Sequence, residues 1–177
     1  CQDDDTVYGL EGADVILGDF GYFDGGMAIL LGGMGNDTLL GGDGTDQMYG
    51  EGGNDVLDGS TDDDALDGGG ENDTYRFDGD QNLGSDTITE VASPFGGTDT
   101  IDLSATAGWS ITLDLSITAT QIVTPSLTLT LPAGNVIENV SGGSRNDTLT
   151  GNNLDNVIEG GAGDDVVVGG KGNDTLH

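Results

Sequence analysis

Positive charge is nearly missing from this chain: Arg76, Arg145 and Lys171 are its only basic side chains, against 33 acidic ones, for a formal net charge of −30. Nucleic-acid binders carry basic patches, and anionic membrane surfaces repel acids, so the balance argues against both partners. Cysteine occurs once, at Cys1, so no disulfide forms within the chain and the redox compartment is not legible from it. Histidine also occurs once, at His177. No apolar run reaches the 18 residues that a membrane-spanning helix needs. The opening residues CQDDDTVY show no basic-then-apolar leader and read as the interior of a longer protein. Lys, Arg and Glu are scarce beside 34 Gly, so long helices are not expected.

What is abundant is Gly and Asp, and both keep time. In GGMGNDTLLGGDGTDQMYGEGGNDVLDG, from Gly32 to Gly59, Asp37, Asp46 and Asp55 stand nine apart, each followed two places later by Leu39, Met48 or Leu57. The unit is G-G-x-G-N/D-D-x-U-x, with U apolar. It recurs at 9–17, then at 32–40, 41–49, 50–58, 59–67 and 68–76, and again at 142–150, 151–159, 160–168 and 169–177; Cys1–Tyr8 is a further copy without its first Gly. Ten of these eleven copies have Asp at the sixth position: Asp5, Asp14, Asp37, Asp46, Asp55, Asp64, Asp73, Asp147, Asp165 and Asp174, the exception being Asn156. All eleven have an apolar eighth residue, from Val7 and Ile16 through Leu39, Met48, Leu57, Leu66 and Tyr75 to Leu149, Ile158, Val167 and Leu176. Fixed-period self-similarity of this kind marks a repeat architecture. The irregular insertion 18–31 divides into a five-residue excursion and a degenerate unit, 23–31, that keeps Leu30.

Three residues x-U-x make a short strand with one side chain on one face. The six before them supply backbone angles that Gly, Asn and Asp adopt cheaply. So short a strand has no core of its own and must stack on copies of itself. The expected fold is all-β: a right-handed parallel β-roll or β-helix solenoid, two units per coil, with apolar residues facing inward between two thin sheets. Its two nonapeptide blocks, 1–76 and 142–177, are joined by longer β-rich coils over 77–141.

Stacking places equivalent carboxylates about 4.8 Å apart, where they repel by roughly 3–4 kcal/mol at an effective dielectric near 20. A cation between successive turns reverses the sign of that interaction, which explains acids held in register. The turns hold neither His nor Cys, so zinc and copper lack their usual ligands. Ca²⁺ takes 6–8 oxygens in tolerant geometry, backbone carbonyls included, whereas Mg²⁺ demands a stricter octahedron. Several Ca²⁺ ions are therefore expected.

These units resemble the RTX (repeat-in-toxin) nonapeptide family, whose β-roll binds calcium. The resemblance covers Cys1–Arg76 and Gly142–His177. It implies that each ion lies between the turns of units n and n+2, held by both sixth-position carboxylates and by carbonyls from positions such as the second and fourth. The metal-site residues implied are the ten aspartates above together with Gly33, Gly35, Gly42, Gly44, Gly53, Gly69, Gly143, Gly161, Gly163, Gly170 and Gly172, and with Asp62, which adds ligand capacity where unit 59–67 lacks its fourth Gly. On that pattern Asp37, Asp55 and Asp73 line one edge and Asp46 and Asp64 the other, Asp147 pairs with Asp165, and Asp174 faces Asn156.

The segment 77–141 drops the nonapeptide and keeps its grammar: Asp86-Thr87-Ile88 and Asp99-Thr100-Ile101 repeat the D-x-U step. WSITLDLSI from Trp109 and SLTLTLPAGNVIENV from Ser126 alternate with period two and read as strands. Parallel coils with longer turns are expected there, a bridging β-sandwich being the rival. The run TYRFDGD…SDTITE…GTDTIDLSA resembles sequence found beside RTX blocks in large secreted bacterial proteins. Thr suits strands, so the Thr-rich strands near Trp109 read as the solvent side of a sheet before a carbohydrate- or ice-binding face. Phe20, Tyr22 and Phe23 form an aromatic loop that reads as a cover for a core end.

Catalysis is not expected. Acid–base chemistry needs a positioned His, Lys, Tyr or tuned carboxylate, and His177, Arg76, Arg145 and Lys171 are scattered through the repeat. Two functions stay open. One is a calcium-rigidified structural module of a secreted or cell-surface protein (adhesin, surface layer or matrix filament), with further repeats of the same chain or neighbouring copies as partners. The other is the calcium-triggered folding and secretion domain of an enzyme or toxin exported by a type I route. A module attached to a polysaccharide lyase or epimerase is more remote. All place the chain outside the cell.

Overall fold

The computed structural model describes residues 5–19, 25–90, 97–132 and 136–177. Among these residues no helix forms, and none is long and apolar enough to cross a membrane. The expected aromatic loop of Phe20, Tyr22 and Phe23 lies outside the described residues.

Strands follow one another through short turns. The first group is β1 (Asp5–Glu11), β2 (Val15–Asp19), β3 (Ala28–Met34), β4 (Thr38–Asp43), β5 (Gln47–Gly52), β6 (Val56–Thr61), β7 (Ala65–Asp67) and β8 (Thr74–Arg76). Next come β9 (Gly84–Thr89), β10 (Thr100–Asp102), β11 (Thr112–Asp114), β12 (Gln121–Thr124), β13 (Leu127–Thr130) and β14 (Asn139–Ser141). The last are β15 (Thr148–Thr150), β16 (Val157–Glu159), β17 (Val166–Val168) and β18 (Thr175–Leu176). Several are longer than the x-U-x triplet: β4 runs on through Gly41 and Gly42, which pair with the next coil as Gly42↔Ser60.

Alternate strands build opposite faces of a parallel β-solenoid. One sheet has the order β18-β16-β14-β10-β8-β6-β4-β2, and the facing sheet the order β1-β3-β5-β7-β9-β13-β12, with β11-β15-β17 as a third. Same-face neighbours are one coil apart, so Leu39 pairs with Leu57, 18 residues later. Parallel pairing follows from the topology, since each strand must cross to the other face and return before meeting its neighbour.

The register puts eighth-position residues directly over one another. Ile16, Leu39, Leu57, Tyr75, Ile101, Val140 and Ile158 form one continuous apolar row, with partners matched at every step, and Val7, Leu30, Met48, Leu66 and Ile88 form the row opposite. Leu30, Leu39, Met48, Leu57, Leu66 and Tyr75 are fully enclosed, each contributing about 1.5–3 kcal/mol by leaving water. Leu30 sits in phase between Val7 and Met48, so the degenerate unit 23–31 keeps its place in the row. Leu176, in the outermost described coil, is 46% exposed.

Among the described residues of 77–141, β9, β10, β11 and β14 pair parallel with their neighbours, with one departure from expectation. β12 and β13 pair antiparallel, and β13 lies parallel against β9. Period-two alternation reports which side a residue faces and is silent on strand direction, so this hairpin was not legible. Beside it, the Gln121 side-chain amide takes the place of a strand. Its Oε1 accepts from the Asp114 backbone N–H at 3.0 Å, while its Nε2 donates to the Asp114 carbonyl at 2.9 Å and the Ile117 carbonyl at 3.1 Å.

Candidate metal centre

Every coil turns twice, and a sixth-position residue stands just before each strand, so stacking makes two columns. One runs Asp14, Asp37, Asp55, Asp73 and Asp99. The Asp14 N–H donates to Asp37 Oδ1 at 2.7 Å, and Asp37 to Asp55, Asp55 to Asp73, and Asp73 to Asp99, each at 2.8 Å. Asp99 N–H then donates to Glu138 Oε2 at 2.8 Å, so a longer carboxylate continues the column. The second column runs from Ala28 N–H to Asp46 Oδ1 at 2.7 Å, then Asp46 to Asp64 at 2.8 Å and Asp64 to Asp86 at 2.9 Å. Beyond the hairpin it resumes from Ile111 to Asp147 and from Asp147 to Asp165, both at 2.8 Å.

Each carboxylate thus offers Oδ1 to the backbone of the preceding coil. The other oxygen is different. Oδ2 of Asp14, Asp37, Asp55, Asp64 and Asp73 is buried and accepts no hydrogen bond. It lies over the first-position Gly of its own unit: a Cβ on Gly32 would stand 2.7 Å from Asp37 Oδ2, and one on Gly9 2.8 Å from Asp14 Oδ2. That close approach is why the first position carries Gly. At the second and fourth positions the backbone turns left-handed, as at Gly33 (φ 106°) and Gly35 (φ 127°). In the first block the angle persists where Gly is replaced, at Leu10, Glu51 and Ser60 in the second position and at Asp62 and Glu71 in the fourth, so the stack imposes the turn on residues that resist it, whereas Arg145, Asn152 and Leu154 in the second block do not adopt it. Fourth-position carbonyls point along the roll: Gly35 O lies against Gly53, and Arg145 O against Gly163.

An ionised carboxylate oxygen buried without a donor is costly, and at Asp55, Asp64 and Asp73 burial shifts the balance toward the protonated form. Burial pushes Asp64 up to about 9, with Asp86, Asp46 and Asp62 adding repulsion against the single backbone N–H of Asp46. Burial raises Asp73 to about 7, helped by Asp55 and Asp99, and raises Asp86 to about 7. Asp55 and Asp99 rise to about 6, again chiefly through burial. Paired carboxylate oxygens with no donor, flanked by carbonyls and glycine, make an all-oxygen pocket that suits a hard divalent cation.

The sequence profile of the RTX calcium-binding nonapeptide repeat (4 copies) matches residues 2–22, 24–57, 40–75, 49–83 and 141–176. The chain belongs to this RTX family. The family is one of structural calcium-binding repeats and not of enzymes. No curated protein matches the chain.

Within this RTX roll the expected site residues divide. Asp14, Asp37, Asp55, Asp64 and Asp73 have the buried unpartnered oxygen, and Asp46 stands in line with them. Asp5 is exposed and pairs in register with Ala28, which brings no carboxylate. Asp62 is exposed and accepts from Gly44 N–H at 3.3 Å. Asp147 closes its own second oxygen on the Gly143 N–H at 2.7 Å. Asp165 and Asp174 are only half-buried; Asp174 Oδ1 accepts from Asn156 N–H at 3.1 Å.

Asn156 rebuilds its step without a charge. Its Oδ1 accepts from Asn152 N–H at 2.9 Å, and its Nδ2 donates to the Glu138 carbonyl at 2.8 Å and to Asn152 Oδ1 at 3.2 Å.

Sequence reasoning missed three contributors. Glu90 falls outside the nonapeptide frame, whereas Glu138 holds a sixth position, two residues before the core Val140 and nine before Asp147, in a stretch, 133–141, that lacks the first and fourth Gly. The fifth-position Asn forms a second ladder of opposite direction, with Asn54 N–H donating to Asn36 Oδ1 at 3.0 Å and Asn72 N–H to Asn54 Oδ1 at 2.9 Å. The N/D preference at that position was the available signal.

Proposed function

We propose that Ca²⁺ ions sit between successive carboxylates of each column, neutralising the unpartnered Oδ2 atoms, and that the chain is a structural module ordered by calcium outside the cell. The ligands are the sixth-position carboxylates, led by Asp14, Asp37, Asp46, Asp55, Asp64 and Asp73, with carbonyls of the second- and fourth-position residues, Gly33, Gly35, Gly42, Gly44, Gly53 and Gly69 among them. In the second block the ligands are Asp147, Asp165 and Asp174 with carbonyls from Gly143, Gly161, Gly163, Gly170 and Gly172, where the closed step at Asp147 and the amide step at Asn156 weaken the site.

One observation carries this reading: buried carboxylate oxygens, stacked in register, that accept nothing from the protein. Extracellular calcium modules bind at about 10⁻⁴–10⁻³ M, and a site assembled only on folding makes binding free energy into folding free energy. The same logic supports a chain disordered where calcium is scarce and rigid where it is plentiful. Nothing in the columns needs a catalytic base, so the module is read as non-catalytic.

Circular dichroism with native mass spectrometry tests the reading. In chelator the β signal should fall, and it should return with several bound ions on adding Ca²⁺ but not Mg²⁺. An unchanged β signal in chelator, or a chain that returns no bound ion at millimolar Ca²⁺, overturns it.

A further inference from the structure

Between β8 and β10 the first column departs from its own pattern. Asp73 and Asp99 are 26 residues apart instead of 18, and the added chain delivers a third carboxylate, Glu90, from the end of β9. One oxygen from each of Asp73, Glu90 and Asp99 lies within 4.8 Å of the others. Asp73 is 1%, Asp99 1% and Glu90 9% exposed. Asp73 Oδ2, buried and without a donor, is aimed into this cluster, since it and Glu90 Oε1 converge on the same space above Gly68.

Tyr75 holds the arrangement. It occupies an eighth position, fully enclosed in the apolar row, where a phenol needs a polar partner. Its hydroxyl donates to Glu90 Oε1 in a short hydrogen bond and accepts from Gly68 N–H at 2.8 Å. That fixes the Glu90 carboxylate against Asp73. Backbone N–H groups of Asp55 and Asp73 serve Asp73 Oδ1 and Asp99 Oδ1, but Asp73 Oδ2 has no donor, and three clustered carboxylates carry negative charge that a divalent ion would offset.

We propose that Asp73, Glu90 and Asp99 form a three-carboxylate site for a hard divalent cation, distinct from the two-carboxylate steps of the columns, and that it is the tightest site in the molecule. The proposal rests on the calcium reading above. Tyr75 is a positioning residue acting through Glu90.

The test uses the whole chain, titrated with Ca²⁺ and separately with Tb³⁺, whose emission is sensitised by a nearby tyrosine. Wild type should show one ion held at least about tenfold more tightly than the rest and Tb³⁺ emission excited through tyrosine at the lowest occupancies. Glu90→Gln should abolish the tight ion and the early emission while the remaining ions still bind. Tyr75→Phe should remove the early emission and weaken that ion about 10–100-fold. Should Glu90→Gln not fold in saturating Ca²⁺, Tyr75→Phe, which keeps all three carboxylates, decides alone. Unchanged early emission in Tyr75→Phe, or an unchanged tight ion in a folded Glu90→Gln, overturns the proposal and leaves the column reading standing. A wild-type chain that binds no ion overturns both.

Discussion

Asn156 donates through Nδ2 to the backbone carbonyl of Glu138 at 2.8 Å, bridging two coils of a column in which Asp37, Asp55 and Asp73 each carry a buried oxygen with no donor. An amide N–H₂ stands where the other steps present only negative charge. One coil junction is therefore complete without an ion.

Asn156→Asp should undo this. The chelated protein loses the bonds to Glu138 and Asn152, and a denaturant midpoint in chelator should fall by about 1–3 kcal/mol in free-energy terms. Calcium should restore most of the loss, with one more ion counted by native mass spectrometry. Equal losses in chelator and in Ca²⁺ would count against a metal-independent junction.

Asp55→Asn should act in opposite directions in the two media. The amide retains an Oδ1 for the Asp37 N–H, now at 2.8 Å, and removes a buried charge. Calorimetric titration should show fewer ions bound or at least about tenfold weaker binding. In chelator the variant should be at least as stable as wild type.

Gly32→Ala and Gly52→Ala should separate the glycines that matter. A Cβ at Gly32 meets Asp37 Oδ2 and the Gly50 carbonyl, both at 2.7 Å, whereas one at Gly52 meets only the Gly33 carbonyl, at 4.0 Å. The first should cost about 1–3 kcal/mol and weaken calcium binding. The second should stay within about 0.5 kcal/mol. Chemical denaturation in Ca²⁺ measures both.

Acidity should substitute for metal. Folded-state values of about 9 for Asp64, about 7 for Asp73 and Asp86, and about 6 for Asp55 and Asp99 all lie above the usual carboxylate range. The folded chain then binds more protons than the unfolded one between about pH 4 and 9, so metal-free stability falls as pH rises through that window and is greatest at its acid end. Circular dichroism in chelator should show β structure gained on acidification from pH 9 toward 5. Apparent calcium affinity should move the other way, weakening as these groups protonate.

Much of this was legible because one period controls several properties at once. The interval from Asp37 to Asp55 sets the coil, that from Leu39 to Leu57 sets the core, and Gly32 and Gly33 set the turn. Glu90 was not legible, since it answers no repeat position, although Tyr75 hinted at it: a phenol among Leu and Ile residues of the same row needs a polar partner. Glu138 was hidden because its unit, 133–141, carries Glu for Asp and lacks the first and fourth Gly, although it keeps the frame, nine residues before Asp147. The β12–β13 hairpin escaped because Leu127-Thr128-Leu129-Thr130 alternates identically in either strand direction. Leu10 and Glu51 show a further limit, since their backbone angles come from neighbouring coils and not from their own preference.

The two faces of the molecule also differ in how they absorb added sequence. Strands β2, β4, β6, β8, β10, β14, β16 and β18 remain neighbours in one unbroken sheet, while the opposite face is parted by the hairpin and rejoined through the Gln121 amide. New material is thus admitted along one flank and refused along the other. The roll behaves as a spine with a single tolerant side, where extra segments can be hung without altering the spacing of the backbone that carries them.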